Sequence, residues 1–184
     1  MQKFSLNLTS PSWFTEIPPF AANTDTTAQM EFVLELVEQN IQHNSGGPFA
    51  AALFAEETGV LITAATNRVI TDCCSIAHAE MLAIGFAQQH FATHDLASLG
   101  KFRLVSSSEP CAMCFGALPW SGISSLVYGA SKEDVEAIGF DEGEKPANWQ
   151  QALEERGINI LGGIKREQAA QQLLHYQQMQ QPIY

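Results

Sequence analysis

Two short motifs constrain the fold of this chain more than any other feature. The first is His78-Ala79-Glu80, and the second is Pro110-Cys111-Ala112-Met113-Cys114. One imidazole and two thiolates supply three of the four ligands of a tetrahedral zinc ion, and the open fourth position is typical of catalytic zinc sites. The fold must therefore bring two segments, on either side of a predicted strand, to a single ion.

The glutamate of the first motif suggests what such a site would do. Glu80 lies two residues beyond the histidine, where it can reach the water on the zinc without being a ligand. Zinc lowers the pKa of that water to about 7, so hydroxide is available at neutral pH. Attack on an amidine carbon needs one proton moved to a ring nitrogen and another to the departing amine. A carboxylate beside the water can move both protons.

Each part of this pattern has a simpler interpretation when it stands alone. Cys111-x-x-Cys114 spacing also occurs in redox pairs and in halves of structural zinc sites. A second pair of that spacing is absent, and the adjacent Cys73 and Cys74 are poorly spaced for one ion. We expect those two to be buried small hydrophobic residues. The histidine and glutamate, taken singly, would be ordinary core or surface residues. Together, in this order, the four residues match the signature of zinc-dependent nucleobase deaminases.

Length and composition predict one globular domain that spans residues 1–184. Hydrophobic residues make up 46% of the chain and charged residues 16%, which is typical of a folded rather than a disordered protein. We expect no membrane association, because no apolar run reaches about eighteen residues and the first ten residues lack signal-peptide character. Thiol ligands also favour a reducing compartment, so we expect the protein in the cytoplasm.

The net charge of −11, with only nine scattered Lys and Arg residues, argues against a polyanionic partner. Tight nucleic-acid binding normally depends on clustered cations. A small base is therefore a more natural substrate than a base within tRNA or DNA. The alternative interpretation is that the acidity only aids solubility.

Apolar periodicity predicts an alternation of helices and strands after an irregular N-terminal arm at 1–26. Helices on both faces of a sheet of about five strands would give an α/β fold. An acidic connection at 139–148 would by default be a solvated loop, and the polar tail at 165–184 would be helical. The predicted helices cover 27–44, 78–90, 111–120, 132–138 and 165–180, and the predicted strands cover 49–55, 60–65, 102–106, 125–128 and 158–161.

The sequence resembles the cytidine deaminase-like superfamily and, within it, the bacterial guanine deaminases. Besides the two motifs, the resemblance includes Gly46-Gly47-Pro48-Phe49-Ala50, Thr66-Asn67-Arg68, Cys114-Phe115-Gly116-Ala117 with Trp120, and Ala137-Ile138-Gly139-Phe140-Asp141-Glu142. It implies a three-layer α/β/α sandwich with a five-stranded mixed sheet, usually as a homodimer. It also implies one zinc ion at His78, Cys111 and Cys114, and proton transfer by Glu80.

Other site residues follow from the resemblance by position. Asn67 matches an asparagine that hydrogen-bonds the bound base, although alone it would be read as a turn residue. Phe49 and Trp120 match aromatic positions that could stack on a planar base, and alone both would be core residues. Glu142 matches an acidic position of the guanine deaminases. Tyr184 matches a terminal tyrosine that enters a partner's site in some relatives.

Hydrogen-bond chemistry favours guanine as the base. Guanine presents two adjacent donors, N1–H and the C2 amine, and an ionised Glu142 is an acceptor only. Adenine places an acceptor at N1, which a carboxylate there would reject. Glu142 can contact the base only if the segment at 139–148 folds over the site. The expected reaction is hydrolysis of guanine to xanthine and ammonia.

Several alternatives share the zinc motif. They are a tRNA adenosine deaminase, a deaminase of cytosine, cytidine, a pterin or another small aminated heterocycle, a non-enzymatic zinc protein, and an inactive relative that binds purines. Glu80 argues against the last two, because a structural zinc has no use for a carboxylate beside its fourth position.

Overall fold

A five-stranded mixed sheet forms the middle layer of the molecule in a computed structural model that describes residues 5–184. The strands lie in the order β2-β1-β3-β4-β5. Strand β1 runs antiparallel to both of its neighbours, whereas β3, β4 and β5 are mutually parallel. The strands are β1 (Ala50–Ala55), β2 (Leu61–Thr66), β3 (Phe102–Ser108), β4 (Ser125–Ala130) and β5 (Asn159–Leu161).

Helices cover both faces of this sheet. One face carries α1, α4 and α6, and the other carries α2, α3 and α5. Within residues 5–184, no helix is long and apolar enough to cross a membrane. The helices are α1 (Thr26–Gln42), α2 (Ala79–Phe91), α3 (Ala112–Ser121), α4 (Lys132–Glu136), α5 (Trp149–Glu154) and α6 (Arg166–Gln178).

The alternation of side chains along β1 explains the layering. Ala50, Ala52 and Phe54 pack into the core on the α1 side, and Ala51 and Leu53 pack into the core on the α2 side. A strand buried on both faces reads as a continuous apolar run instead of an alternating one, as the sequence of β1 does. The prediction of a three-layer α/β/α sandwich with a five-stranded mixed sheet is confirmed.

Most predicted elements occur within a few residues of their expected positions, but α5 was not predicted. The first four residues of the predicted arm lie outside the described residues, and the rest of it, residues 5–26, is less irregular than expected, because Ser12–Glu16 form a turn of 3₁₀ helix. Trp13 in that turn is buried in the α1-side core, and its indole N–H donates to Ser45 Oγ at 2.9 Å. The arm is therefore attached to the domain through an aromatic anchor.

The expectation that Cys73 and Cys74 are buried is wrong. Cys73 is exposed in the turn that follows β2, and its φ of 49° lies in the left-handed region. Cys74 is half-buried and packs at the edge of the α2-side core. A chain that turns tightly there leaves room to bury only one of two adjacent side chains.

Candidate active site

The two motifs meet at the starts of two neighbouring helices. His78 is the N-cap residue of α2 and Cys111 is the N-cap residue of α3, yet neither side chain caps its own helix. His78 Nδ1 instead lies 3.6 Å from Cys111 Sγ and 3.7 Å from Cys114 Sγ. Zinc bonds of about 2.0–2.1 Å to nitrogen and about 2.3 Å to sulfur, at the tetrahedral angle, require separations of about 3.6 Å. The three donors therefore fit one zinc ion.

The pKa values of the two thiols shift in opposite directions. A hydrogen bond from the Cys114 thiol lowers the pKa of Cys111 to about 4. The same contact, together with burial, raises the pKa of Cys114. Burial acts to lower the pKa of His78, but contact with Cys111 and the charge of Glu80 outweigh it and raise that pKa. One thiolate is thus already available, and a divalent cation would favour the second.

Glu80 lies in the first turn of α2, where it is buried. Ser106 Oγ on β3 donates a hydrogen bond to Glu80 Oε1 at 3.2 Å. Burial raises the pKa of Glu80, and the nearby Cys111 adds to this effect. A carboxyl whose pKa is raised above its ordinary value holds a proton more readily, which suits a group that must both accept and donate one.

The segment at 139–148 is largely exposed, but it is not only a solvated loop, because it buries Phe140 and Glu142 at the cavity. Glu142 is only 7% exposed, and its Oε2 has no hydrogen-bond partner. Burial, together with the charges of Cys111 and Glu80, raises the pKa of Glu142 to about 8. A buried carboxylate oxygen without a partner is costly to leave unsatisfied, so this oxygen is prepared to accept a hydrogen bond from a ligand.

Asn67 and Tyr184 lie side by side at the same cavity. Asn67 is only 1% exposed, and its Oδ1 accepts the backbone N–H of Val69 at 3.1 Å, which fixes the orientation of the amide. Burial raises the pKa of Tyr184, although a hydrogen bond from Asn67 acts in the opposite direction. Tyr184 also meets the ring of Phe140 edge-on, with centroids 5.2 Å apart.

Among the residues predicted to contact the base, Trp120 is the only one that does not line the cavity. Its side chain is 76% exposed and lines a separate apolar depression on α2 and α3. It lies six positions after Cys114 in α3, which corresponds to roughly 9 Å along the axis and a different face of the helix. The prediction that Trp120 stacks on a base in its own chain is wrong.

The cavity has a volume of about 290 Å³, near the lower limit of small-molecule sites. It suits a small planar ligand better than a large one. Its lining consists of Phe49, Asn67, Val69, Ser75, His78, Glu80, Ser108, Glu109, Cys111, Phe140, Asp141, Glu142 and Tyr184.

Sequence reasoning missed two residues that shape the site. Phe140 lines the cavity and meets Phe49 edge-on at 5.0 Å, so the two rings form an aromatic wall. Its place two residues before Glu142, inside the resembling segment, was an available signal. Ser106 gave no such signal, because a serine within a strand has no pattern that points to a carboxylate on a distant helix.

Residues 23–130 match the family model for the cytidine and deoxycytidylate deaminase zinc-binding region. Since this is more than half of the chain, the protein belongs to that family and is a zinc-dependent hydrolase. Its cofactor is zinc, and His78, Cys111 and Cys114 are a group of side chains that could hold the ion.

Three similar proteins show which kinds of deaminase this chain resembles. The solved structure of guanine deaminase from Nitrosomonas europaea is 46% identical and has a TM-score of 0.91, with 97% of this chain and 99% of that chain covered. Guanine deaminase of Bacillus subtilis (strain 168) is 32% identical over 65% of this chain and 74% of its own length. A protein of Schizosaccharomyces pombe named as a probable cytosine deaminase is 36% identical over 60% of this chain, but the match spans only 64% of that protein.

Proposed function

We propose that this protein hydrolyses guanine to xanthine and ammonia. The observation that carries the proposal is the buried, unpartnered carboxylate of Glu142 beside the zinc ligands. The pKa of about 8 is that of the metal-free protein, and a zinc ion on the neighbouring ligands would favour the ionised form of Glu142. An ionised carboxylate only accepts hydrogen bonds, and the N1–H and C2 amine of guanine are two adjacent donors. The similarity to the guanine deaminases of Nitrosomonas europaea and Bacillus subtilis supports the same substrate.

The mechanism assigns proton transfer to Glu80. When bound, zinc supplies Lewis acidity and makes hydroxide available at neutral pH. Glu80 takes the proton that water gives up and delivers it to the ring nitrogen beside C2. It then takes the proton of the new C2 hydroxyl and delivers it to the C2 amine, which leaves as ammonia as the C–N bond breaks and the C2 carbonyl forms. Ser106 holds one carboxylate oxygen, so the other oxygen is free to face the base.

The remaining cavity residues bind and orient the base. Asn67 directs its amide nitrogen to the cavity, because its amide oxygen is already engaged by Val69. Phe49 and Phe140 offer apolar ring surface against the plane of the base. Glu142 holds the N1–H and amine edge and rejects adenine, which would place an acceptor against an acceptor.

Tyr184 closes the cavity in this proposal. Tyr176 in α6 donates its hydroxyl hydrogen to Pro182 O at 2.9 Å, which turns the chain end back toward the site. Closure excludes water and strengthens the polar contacts inside. Deleting residues 182–184 should lower guanine turnover without loss of zinc, and unchanged kinetics would mean that the tail has no role.

A polyanionic substrate is less consistent with the distribution of charge. Of the eight Lys and Arg residues within residues 5–184, six are engaged in ion pairs with carboxylates. Few cations therefore remain to hold the phosphates of a tRNA. A free base that diffuses into the cavity needs none of them.

We further infer that two copies associate through the depression around Trp120. Met81 and Ile84 on α2 and Ala117 and Trp120 on α3 line this apolar surface. A largely exposed tryptophan among apolar neighbours is typical of a protein interface. Light scattering should give the mass of a dimer for the wild type and of a monomer for Trp120→Glu. The matched change at an exposed apolar residue of β5, Leu161→Glu, should leave the mass unchanged.

The test of the main proposal is ammonia release from guanine, adenine, cytosine, cytidine and adenosine in tRNA, with and without a chelator. We expect chelator-sensitive release from guanine above all others. Release from tRNA or cytosine, with none from guanine, would replace the proposal by one of those activities. Because Cys111 and Cys114 must stay reduced to bind zinc, we place the protein in the cytoplasm.

A further inference from the structure

Lys145 is a buried lysine in a segment where a lysine would be expected to extend into solvent. Its side chain is only 3% exposed. Its ammonium group donates to Glu109 Oε1 and to Pro110 O, both at 2.5 Å. The ammonium also lies 4.7 Å from the centroid of the Trp149 ring. Burial of an ammonium costs several kcal/mol unless the charge is paired, so this geometry depends on all three contacts.

The contacts join two parts of the site that are distant in sequence. Glu109 and Pro110 immediately precede the zinc ligand Cys111, and Lys145 lies three residues after Glu142. Residues 140–146 have no regular secondary structure, so the position of Glu142 depends on where this segment is attached.

Two further hydrogen bonds hold the segment that carries Glu142. The backbone N–H of Ala112 donates to Glu142 O at 2.9 Å, and Lys132 Nζ donates to Gly143 O at 3.0 Å. Lys132 is partly exposed, with an ion pair to Glu136. Of the three attachments, only the one made by Lys145 depends on a buried side-chain charge.

We propose that Lys145 is a positioning residue that sets the place of the Glu142 carboxylate relative to the zinc ligands. It does not line the cavity, so it acts through Glu142 and the turn at Glu109 and Pro110. This inference rests on the proposed role of Glu142 in binding guanine. Within residues 5–184, no side-chain hydrogen bond orients the carboxylate of Glu142, and its Oε2 is unpartnered. The attachment of the backbone must therefore fix where the carboxylate points.

The experiment compares Lys145→Met with the wild type and with Lys101→Met, a matched change at an exposed lysine. Zinc content and thermal stability are measured first. In zinc-replete protein, we expect Lys145→Met to lower kcat/KM for guanine about 10- to 100-fold, the effect of misplacing a reacting group by about 1 Å. Lys145→Arg, which retains charge and donors, should recover much of this loss. Kinetics indistinguishable from those of Lys101→Met would overturn the proposal.

A double-mutant cycle separates positioning from a general loss of stability. If Lys145 acts through Glu142, then Lys145→Met should change the residual turnover of Glu142→Gln by less than about threefold. An equal loss in both backgrounds would show that Lys145 acts elsewhere. If Lys145→Met fails to fold, Lys145→Gln takes its place in the cycle.

Hydrogen–deuterium exchange provides a readout that does not depend on activity. Lys145→Met should speed exchange in the segment at 139–148 and at the amide of Ala112, while exchange in β1 and β3 stays unchanged. Unchanged exchange in that segment would refute the positioning role even if the protein proved inactive on guanine. An inactive wild type with faster exchange in the variant would instead refute the proposed function alone.

Discussion

Glu142 should make the zinc-free protein less stable at high pH, and Glu142→Gln should remove that effect. The folded-state pKa is about 8 and lies above the ordinary value of 4.5, mainly because the carboxyl is buried. Between these two values the folded protein holds a proton that the unfolded chain has released. Stability therefore falls as the pH rises through this window.

The size of the effect follows from the shift in pKa. A difference of about 3.5 units, at about 1.36 kcal/mol per unit, gives a limit of about 5 kcal/mol above pH 8. From pH 5 to pH 8 the loss specific to Glu142 is about 3.5 kcal/mol. A glutamine cannot ionise, so the variant should gain about that much relative to the wild type over the same range. Its buried amide still has an unpaired group, which adds a cost of about 1–3 kcal/mol at every pH.

Urea unfolding of chelator-treated protein at pH 5 and pH 8, followed by tryptophan fluorescence, measures this difference. Glu144→Gln is the control, because Glu144 is exposed and lies two residues away in the same segment. The reasoning fails if wild type and Glu142→Gln keep a constant stability difference, within about 0.5 kcal/mol, at the two pH values. Guanine turnover by the zinc-loaded variant should fall, so the residue would favour activity at the expense of stability.

Three further predictions concern the catalytic centre. Glu80→Gln should retain zinc but lose about 10²- to 10⁴-fold in turnover, since an amide cannot carry protons; near-normal kinetics would remove Glu80 from the mechanism. Cys111→Ala combined with Cys114→Ala should abolish stoichiometric zinc in metal analysis, and undiminished zinc would refute the ligand set. Gly47→Ala places a methyl group 2.5 Å from the Tyr184 hydroxyl, so it should displace that side chain and raise KM for guanine; an unchanged KM would argue against closure.

Much of the fold was predictable because periodicity is a local property. Short windows of sequence show the helical spacing of apolar residues in α1 and the two apolar runs that form β1 and β2. The metal ligands were predictable for another reason: only a few residue types bind zinc, and their order is informative.

The errors arose where burial depends on distant segments. The exposure of Trp120 follows from which face of α3 meets the core, and the exposure of Cys73 follows from a tight turn. The burial of Lys145 runs against the usual preference of lysine for solvent. Tyr184 was predicted to enter an active site, and the structure places it at the cavity of its own chain, where the hydrogen bond from Tyr176 to Pro182 O turns the chain end back.

The helix starts at His78 and Cys111 have a consequence for protein engineering. Asp25 caps α1 and Ser131 caps α4 through side-chain oxygens, whereas α2 and α3 have metal ligands at that position. A conventional cap stabilises a helix by about 1 kcal/mol. In the metal-free protein, α2 and α3 would each lack this stabilisation. The substitutions His78→Asn and Cys111→Ser are therefore the first step in converting the cavity into a sensor that needs no metal. They place side-chain oxygens that can cap the two helices where the enzyme has metal ligands.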